Sequence, residues 1–107
     1  MSLNIEYGSL NPSKVYNINE NEELFFENLT SKLKQNKLNQ SIYLTRMSNG
    51  SISVDYSNYP IGKIKLQGRK YSMLILKNMY DNYTIEGSLD DFILKIDEWI
   101  NYIKKFL

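Results

Sequence analysis

The chain contains no cysteine and no histidine among its 107 residues. Without cysteine there is no disulfide and no thiolate nucleophile. Without histidine, the commonest general base and the commonest ligand of transition metals are missing as well. These absences exclude the usual thiol and imidazole enzymes and the metal centres that those side chains build. The lack of cysteine also agrees with a reducing compartment.

Long hydrophobic runs are missing too. No window approaches the roughly 18 consecutive apolar residues of a transmembrane helix. The first ten residues, MSLNIEYGSL, have neither the basic region nor the long apolar core of a secretory signal. We therefore expect a cytoplasmic protein that does not associate with a membrane.

An excess of charge of one sign is also lacking, since 13 Lys and Arg residues oppose 12 Asp and Glu residues, for a formal net charge of +1. Nonspecific nucleic-acid binding draws its affinity from cations that displace counterions along the phosphate backbone. A nearly neutral chain can bind in this way only through a local cluster of cations.

The composition that is present is that of a globular protein, with 42% hydrophobic and 23% charged residues. A chain of this length can bury a core of its own without a metal or disulfides. We expect a single domain spanning residues 1–107. The abundant Asn, Lys, Ile and Tyr have A/T-rich codons, which is typical of an A/T-rich genome.

Two segments have the periodicity of amphipathic helices. In the first, about Glu20 to Gln35, Asn19 is placed to cap the helix together with Glu22, and apolar residues recur at helical spacing. In the second, Ser88 caps with Asp91 ahead of an apolar stripe. Acidic residues begin both segments and lysines end them, as the helix dipole favours. The second stripe consists of Leu89, Phe92, Ile93, Ile96, Trp99 or Ile100, Ile103 and Leu107.

The segment SIYLTRMSNGSISVDYSNYP contains two alternating runs on either side of an Asn-Gly pair, a strong hairpin signal. A two-residue loop would place the apolar residues of the two runs on opposite sheet faces. A three-residue loop from Ser48 to Gly50, with Gly50 left-handed, places them on one face. We predict the three-residue loop, because a slip of one residue would lose a buried face. The predicted facing pairs are Leu44 with Val54 and Arg46 with Ile52.

Two further strands are predicted, from Ile61 to Leu66 and from Tyr71 to Leu76, joined by a turn around Gln67-Gly68. The next segment, NMYDNYTIEG, is interpreted as a loop that leads to Gly87. Met73, Met79 and Trp99 are assigned to the core, the usual place for such residues on apolar stripes.

The beginning of the chain alternates weakly around Ile5 and Tyr7 and then breaks at Gly8 and at Asn11-Pro12. We predict an edge strand or two short strands there. Each helix has a single apolar stripe, so both can cover the same side of a sheet. The predicted fold is α+β, an antiparallel sheet of three to five strands with two amphipathic helices on one face. The other face would then be open to solvent or to a partner.

Acidic pairs are the remaining candidates for chemistry, because two carboxylates can act as acid and base or hold Mg²⁺. The pairs are Asp90 with Asp91, Asp97 with Glu98, and Asp81 with Glu86. The first pair is explained by the helix start, and neighbours in a helix point about 100° apart and cannot converge on one ion. No Walker-type loop, dinucleotide fingerprint or Gly-x-Ser-x-Gly elbow occurs. We predict a protein without catalytic activity, metal or cofactor.

The stretch GKIKLQGRKY, from Gly62 to Tyr71, places four cations in ten residues. In a strand, Ile64 and Leu66 point to one face, whereas the polar residues between and after them point to the other. Those on the polar face are Lys63, Lys65 and Gln67, and Arg69 and Lys70 lie at the turn.

Tyrosines surround this basic stretch in the sequence, and Tyr43, Tyr56 and Tyr71 are the candidates for a shared surface with it. Cations mixed with aromatic residues on an open sheet are what single-stranded nucleic acid uses for backbone attraction and base stacking. A solvated face explains the same residues without a ligand, because aromatics are common in strands and lysine protects sheets from aggregation.

A protein interface is the other interpretation of these side chains. Arg46, Asp55 and Arg69 are candidates for it, because tyrosine and arginine are the usual anchors of protein interfaces. Acidic and basic residues alternate along the chain, which suits a mixed-charge protein surface better than a uniform polyanion.

Two segments, YPIGKIKLQGRKYSMLIL (Tyr59 to Leu76) and IEGSLDDFILKIDEWINYIKKFL (Ile85 to Leu107), resemble small uncharacterised proteins of phages, plasmids and integrative elements in low-G+C bacteria. The resemblance covers about the C-terminal half of the chain and carries no catalytic residues. It implies an accessory protein of a mobile element. In that setting small domains often bind and inhibit host machinery, as anti-CRISPR proteins do, or attend replication and transfer.

The sequence thus supports two functional hypotheses. The first is a non-catalytic binding protein of a mobile element that acts on a protein partner. The alternative is a single-stranded nucleic-acid-binding module. Exposed strand edges leave both a monomer and an edge-paired homodimer open. The predicted partner-binding residues are Arg46, Lys63, Lys65, Arg69, Lys70, Tyr43, Tyr56 and Tyr71.

Overall fold

Six strands and two helices are present in a computed structural model that describes residues 5–7 and 16–107. The sheet has the order β1-β2-β3-β4-β5-β6, in which β1 is parallel to β2 and the other five strands form an antiparallel meander. The elements are β1 (Ile5–Tyr7), α1 (Glu20–Gln35), β2 (Ile42–Arg46), β3 (Ile52–Tyr56), β4 (Tyr59–Lys65), β5 (Ser72–Leu76), β6 (Asn82–Glu86) and α2 (Leu89–Phe106).

Helix α1 begins and ends as predicted. The side chain of Asn19 accepts a hydrogen bond from the backbone N–H of Glu22, and the Glu22 carboxylate accepts one from the backbone N–H of Asn19. This reciprocal cap satisfies two backbone donors that the helix itself leaves free. Acidic residues lie in its first turn and Lys32 and Lys34 in its last, so the charges complement the helix dipole.

The β2–β3 hairpin has the predicted three-residue loop. The N–H of Met47 donates to the carbonyl of Ser51, and Gly50 has a φ of +90°. An L-residue rarely adopts that backbone conformation, which explains the glycine. The predicted facing pairs, Leu44 with Val54 and Arg46 with Ile52, are confirmed.

The two helices lie on the same side of the sheet, here called the inner face, so the predicted two-layer α+β architecture is confirmed. Alternation along the strands sends one set of side chains toward the helices. The helices contact one another, with the rings of Phe25 and Trp99 meeting edge to face at 5.5 Å between centroids. The largest fully buried side chains are Trp99, Phe25, Phe26, Phe92, Leu29, Leu33, Ile52, Ile61, Ile64, Leu66, Met73 and Ile75.

One prediction about the meander is wrong, because the segment interpreted as a loop contains β6. This strand pairs with β5 and has its other edge free of any strand in the described part of the sheet. Only Tyr83 and Ile85 are half-buried, and the three residues that alternate with them are exposed. An edge strand with two partly buried residues has only a weak hydrophobic pattern. The turn-forming residues before it therefore led to the prediction of a loop.

The core assignments are confirmed for Met73 and Trp99, which are fully buried, and wrong for Met79, which is 60% exposed in the β5–β6 connection. The predicted edge strand near Ile5 and Tyr7 is β1, which adds to β2 in parallel. The breaks predicted at Gly8 and at Asn11-Pro12 lie outside the described residues. Among the described residues, neither helix combines the length and hydrophobicity needed to cross a bilayer.

Helix α2 begins with a cap that makes its stability dependent on pH. The N–H and hydroxyl of Ser88 both donate to the Asp91 carboxylate, and these bonds lower the pKa of Asp91 below its ordinary value of 3.8. A carboxyl group with a lowered pKa stabilises the fold above its unfolded-state pKa, and this contribution disappears as the pH falls through the folded-state pKa.

We therefore expect the stability difference between the native chain and Asp91→Asn to be largest near neutral pH and to shrink as the pH is lowered from about 5 toward 2. Urea unfolding followed by circular dichroism at several pH values measures it. Asp90→Asn is the control, because it removes a charge from the same helical turn and leaves the Ser88 bonds in place. A difference that stays constant with pH would contradict the assigned cause.

Candidate partner-binding face

The outer face of the sheet is the side that points away from both helices. Strand alternation and the pairing registers place on it one residue in two from β2 to β6. Every described side chain at these positions is half-buried or exposed. The set is Tyr43, Thr45, Ser53, Asp55, Pro60, Lys63, Lys65, Ser72, Leu74, Leu76, Asn82, Thr84 and Glu86.

One end of the outer face is charged. Lys63 and Lys65 project from β4, with Lys63 exposed and Lys65 half-buried. The row of Lys65 continues through Ser72 to Glu86, and the Lys70 ammonium lies 3.9 Å from the Glu86 carboxylate. Arg69 is exposed in the β4–β5 turn. Because Glu86 lies among the cations, this end presents mixed charge.

The outer face becomes apolar from its middle row, where Lys63 faces Leu74, toward its opposite end. Leu74 and Leu76 of β5 are half-buried, and Pro60 is exposed beside them. Tyr59 and Met79 flank these residues and are 57% and 60% exposed. We call Tyr59, Pro60, Leu74, Leu76 and Met79 the apolar patch. They line one opening of about 330 Å³, to which the end of α2 also contributes.

Tyr43 extends the surface toward β2. It is 60% exposed and faces Asp55 of β3, which in turn faces Pro60 of β4. Two strand spacings separate Tyr43 from Pro60, roughly 10 Å. An aromatic ring, a carboxylate and the apolar patch therefore lie along one end of the sheet.

Arg46 was predicted to contact a partner, and the structure corrects this. Its side chain is only 1% exposed and forms a bidentate pair with the equally buried Glu22, with distances of 2.6 Å from Nη1 to Oε2 and 3.1 Å from Nη2 to Oε1. Nη1 also donates to the carbonyl of Gly50 at 3.0 Å. The guanidinium thus joins helix α1 to the β2–β3 hairpin and does not face solvent.

Two of the predicted tyrosines are also absent from the outer face. Tyr56 is 6% exposed and lies on the inner face with the core. Tyr71 is half-buried, and its hydroxyl oxygen accepts a hydrogen bond from the Asn21 amide of α1 at 3.3 Å. Gln67, expected beside the lysines, turns toward α1 and donates to Glu22 Oε1 at 3.1 Å.

Of the eight predicted residues, the structure therefore brings Tyr43, Lys63 and Lys65 together on the outer face, with Arg69 and Lys70 at its end. The members of the apolar patch were not predicted as binding residues. One signal for them was available, since β5 reads SMLIL and is apolar at both alternating sets of positions. Such runs are typical of strands covered on both faces.

The described residues contain no group of three or more acidic side chains arranged to hold a metal ion. Another opening is a groove of about 640 Å³ between the β5–β6 side of the sheet and α2, to which Tyr83, Tyr102 and Phe106 contribute. Comparison with known proteins adds no relative, because no family model, curated protein or solved structure matches this chain.

Proposed function

We propose that this chain is a non-catalytic binding protein that recognises a protein partner through the outer face of its sheet. The observation that carries the proposal is that β5 has apolar side chains on both of its faces. Met73 and Ile75 fill the core, whereas Leu74 and Leu76 lie on the open side with Pro60, Tyr59 and Met79 around them. Exposed apolar groups of this kind, rimmed by polar residues, mark interaction sites.

The charges around the apolar patch favour a protein over a nucleic acid. Asp55 lies between Tyr43 and Pro60, and Glu86 shares a row with Lys65. Carboxylates at these positions repel a phosphate backbone, but they suit a partner surface that carries both signs of charge. Protein interfaces are enriched in tyrosine and methionine, both of which the apolar patch contains, and they carry charges at their rim.

The resemblance of the C-terminal half to small proteins of phages and other mobile elements supplies the setting of the proposal. The partner would be a component of the host's own machinery in the cytoplasm, and blocking host defence is the activity that this setting favours. The lack of histidine and cysteine in the sequence supports a role in binding rather than in catalysis.

A single-stranded nucleic-acid-binding module is the second candidate. One observation favours it: Lys63, Lys65 and Tyr43 share the outer face, so backbone attraction and one stacking platform are present together. Tyr56 and Tyr71 do not lie on that surface.

The two candidates are separated with two sets of variants. Tyr59→Asp with Met79→Asp places charges in the apolar patch, and Lys63→Ala with Lys65→Ala removes the cations. Leu24→Asp with Leu94→Asp is the matched control, because these side chains are 41% and 76% exposed on the helices. A partner is first captured from a lysate of a low-G+C bacterium, identified and purified, and its affinity for each variant is then measured by titration calorimetry.

We expect the patch variant to lose at least about tenfold in affinity for the purified partner, as for anchor residues at the centre of an interface, while the helix variant retains it. Equal losses in the patch and helix variants would contradict the proposal. Binding to a labelled single-stranded oligonucleotide that falls steeply between about 50 and 200 mM salt, and that the lysine variant abolishes, would favour the second candidate instead.

A further inference from the structure

Strand β6 has one edge that pairs with no other strand among the described residues. The N–H of Gly87 donates to the carbonyl of Tyr71, and the N–H of Lys77 donates to that of Asp81, so the odd-numbered residues of this ladder form its hydrogen-bonded pairs. Hydrogen-bonded and non-hydrogen-bonded pairs alternate along an antiparallel ladder. The backbone groups of Asn82, Thr84 and Glu86 therefore point away from β5, toward the free edge.

This edge has few of the devices that usually protect one. β6 contains no lysine, no proline and no irregularity of register, and its one charged residue is Glu86. Natural sheets blunt exposed edges with such features, because an open row of N–H and C=O groups pairs with other strands. Helix α2 lies against β4 and β5, which leaves the groove of about 640 Å³ on the helix side of β6.

We propose that the β6 edge pairs with the β6 edge of a second copy of this chain, antiparallel, with Thr84 on the two-fold axis. Thr84 then faces Thr84, Asn82 faces Glu86, and Tyr83 faces Ile85. Each of the three outward-pointing pairs exchanges two backbone hydrogen bonds, about six in all.

The side-chain pairs created by this register identify the second copy as the occupant. Thr with Thr and an aromatic with a β-branched residue are favourable cross-strand pairs, and no like charges face each other. The amide of Asn82 can donate to the carboxylate of Glu86 in the other copy. A strand that is complementary to itself in every facing pair suits an isologous, two-fold interface.

The helices leave room for this arrangement. If α2 is centred between β4 and β5, four strand spacings separate it from its counterpart in the second copy, about 19 Å. Two packed helices need only about 8–10 Å between their axes. The two copies would then form one continuous sheet, and their outer faces would lie side by side on the same surface. This inference does not depend on the proposed function.

The absence of cysteine from the native chain allows a direct test. Thr84→Cys places a single thiol on the two-fold axis, where the Cα atoms of facing residues in a hydrogen-bonded pair lie about 5.5 Å apart, within the span of a disulfide. Asn82→Cys is the matched control, because the two copies of that residue lie about four residues apart along the strands, roughly 13 Å. With diamide as oxidant, we expect a covalent dimer from Thr84→Cys and little from Asn82→Cys.

A second pair of variants tests the axis without oxidation. Thr84→Lys and Thr84→Glu should each be monomeric by analytical ultracentrifugation at concentrations where the native chain is dimeric, because each variant faces its own charge. An equimolar mixture of the two should restore the dimer. A native chain that stays monomeric at millimolar concentration, equal cross-linking of both cysteine variants, or dimers that survive in Thr84→Lys alone would each overturn the proposal.

Discussion

Replacing Arg46 with methionine is expected to lower the free energy of unfolding by about 3–5 kcal/mol, the usual cost of removing one partner from a buried ion pair. The Glu22 carboxylate would be left in a site where its side chain is fully buried. It would still accept from the Asn19 N–H and the Gln67 amide, but neither neutralises its charge. Urea unfolding followed by circular dichroism measures the loss.

Two comparisons identify the buried charge as the cause. The double variant Glu22→Leu with Arg46→Met should be more stable than Arg46→Met alone, because no unpaired charge is then left in the core. Asp97→Asn breaks the exposed pair with Lys32, which spans 3.2 Å, and should change stability by at most about 1 kcal/mol. A double variant that is no more stable than the single one would contradict this explanation.

The local features of the fold could be predicted because their causes lie close together in the sequence. The capping boxes need residues three positions apart, and both occur. The three-residue hairpin loop needs a glycine at its left-handed position and apolar residues on one face, and both conditions are local. Helix placement then followed from one apolar stripe on each helix.

The predicted register already implies that Arg46 is buried, although its residue type led to its assignment as a partner-binding residue. In that register Arg46 faces Ile52, and alternation places Tyr56 on the same face as Ile52 and Val54. Arginine is usually a surface residue, whereas the position of Arg46 in the strand predicts that its side chain is buried. The sequence alone does not identify the partner of Arg46, because Glu22 lies 24 residues away and meets it only after α1 docks on the sheet.

The candidate partner-binding face was predicted in part for a related reason. Which side chains share a face of one strand follows from alternation, so Lys63 and Lys65 were placed correctly. The apolar patch is assembled from β4, β5 and the β5–β6 connection, and it depends on a strand pairing that no local pattern specifies. β6 was not predicted for the same reason, because this segment forms a strand only by pairing with β5.

Trp99 is the second position where a large effect is expected. Trp99→Ala should lower the free energy of unfolding by about 3–5 kcal/mol, as is usual when a buried aromatic residue is removed from a core. The indole is fully buried, meets the ring of Phe25 and donates from Nε1 to the carbonyl of Leu74 at 3.0 Å. Circular dichroism is the measurement, because the variant lacks the only tryptophan.

Gly62 provides an independent test of how the indole is seated. A Cβ atom at this position would lie 2.7 Å from Nε1 and Cε2 of Trp99 and 2.5 Å from the carbonyl oxygen of Leu74, so the indole reaches that carbonyl by passing over a residue without a side chain. Gly62→Ala should therefore cost about 1–3 kcal/mol through overpacking, although alanine usually favours a strand more than glycine does. The cost should be smaller when Trp99→Leu is already present, because only the contact with the carbonyl oxygen is then left. If Gly62→Ala caused no loss of stability, the position of the Trp99 indole would not require glycine at residue 62.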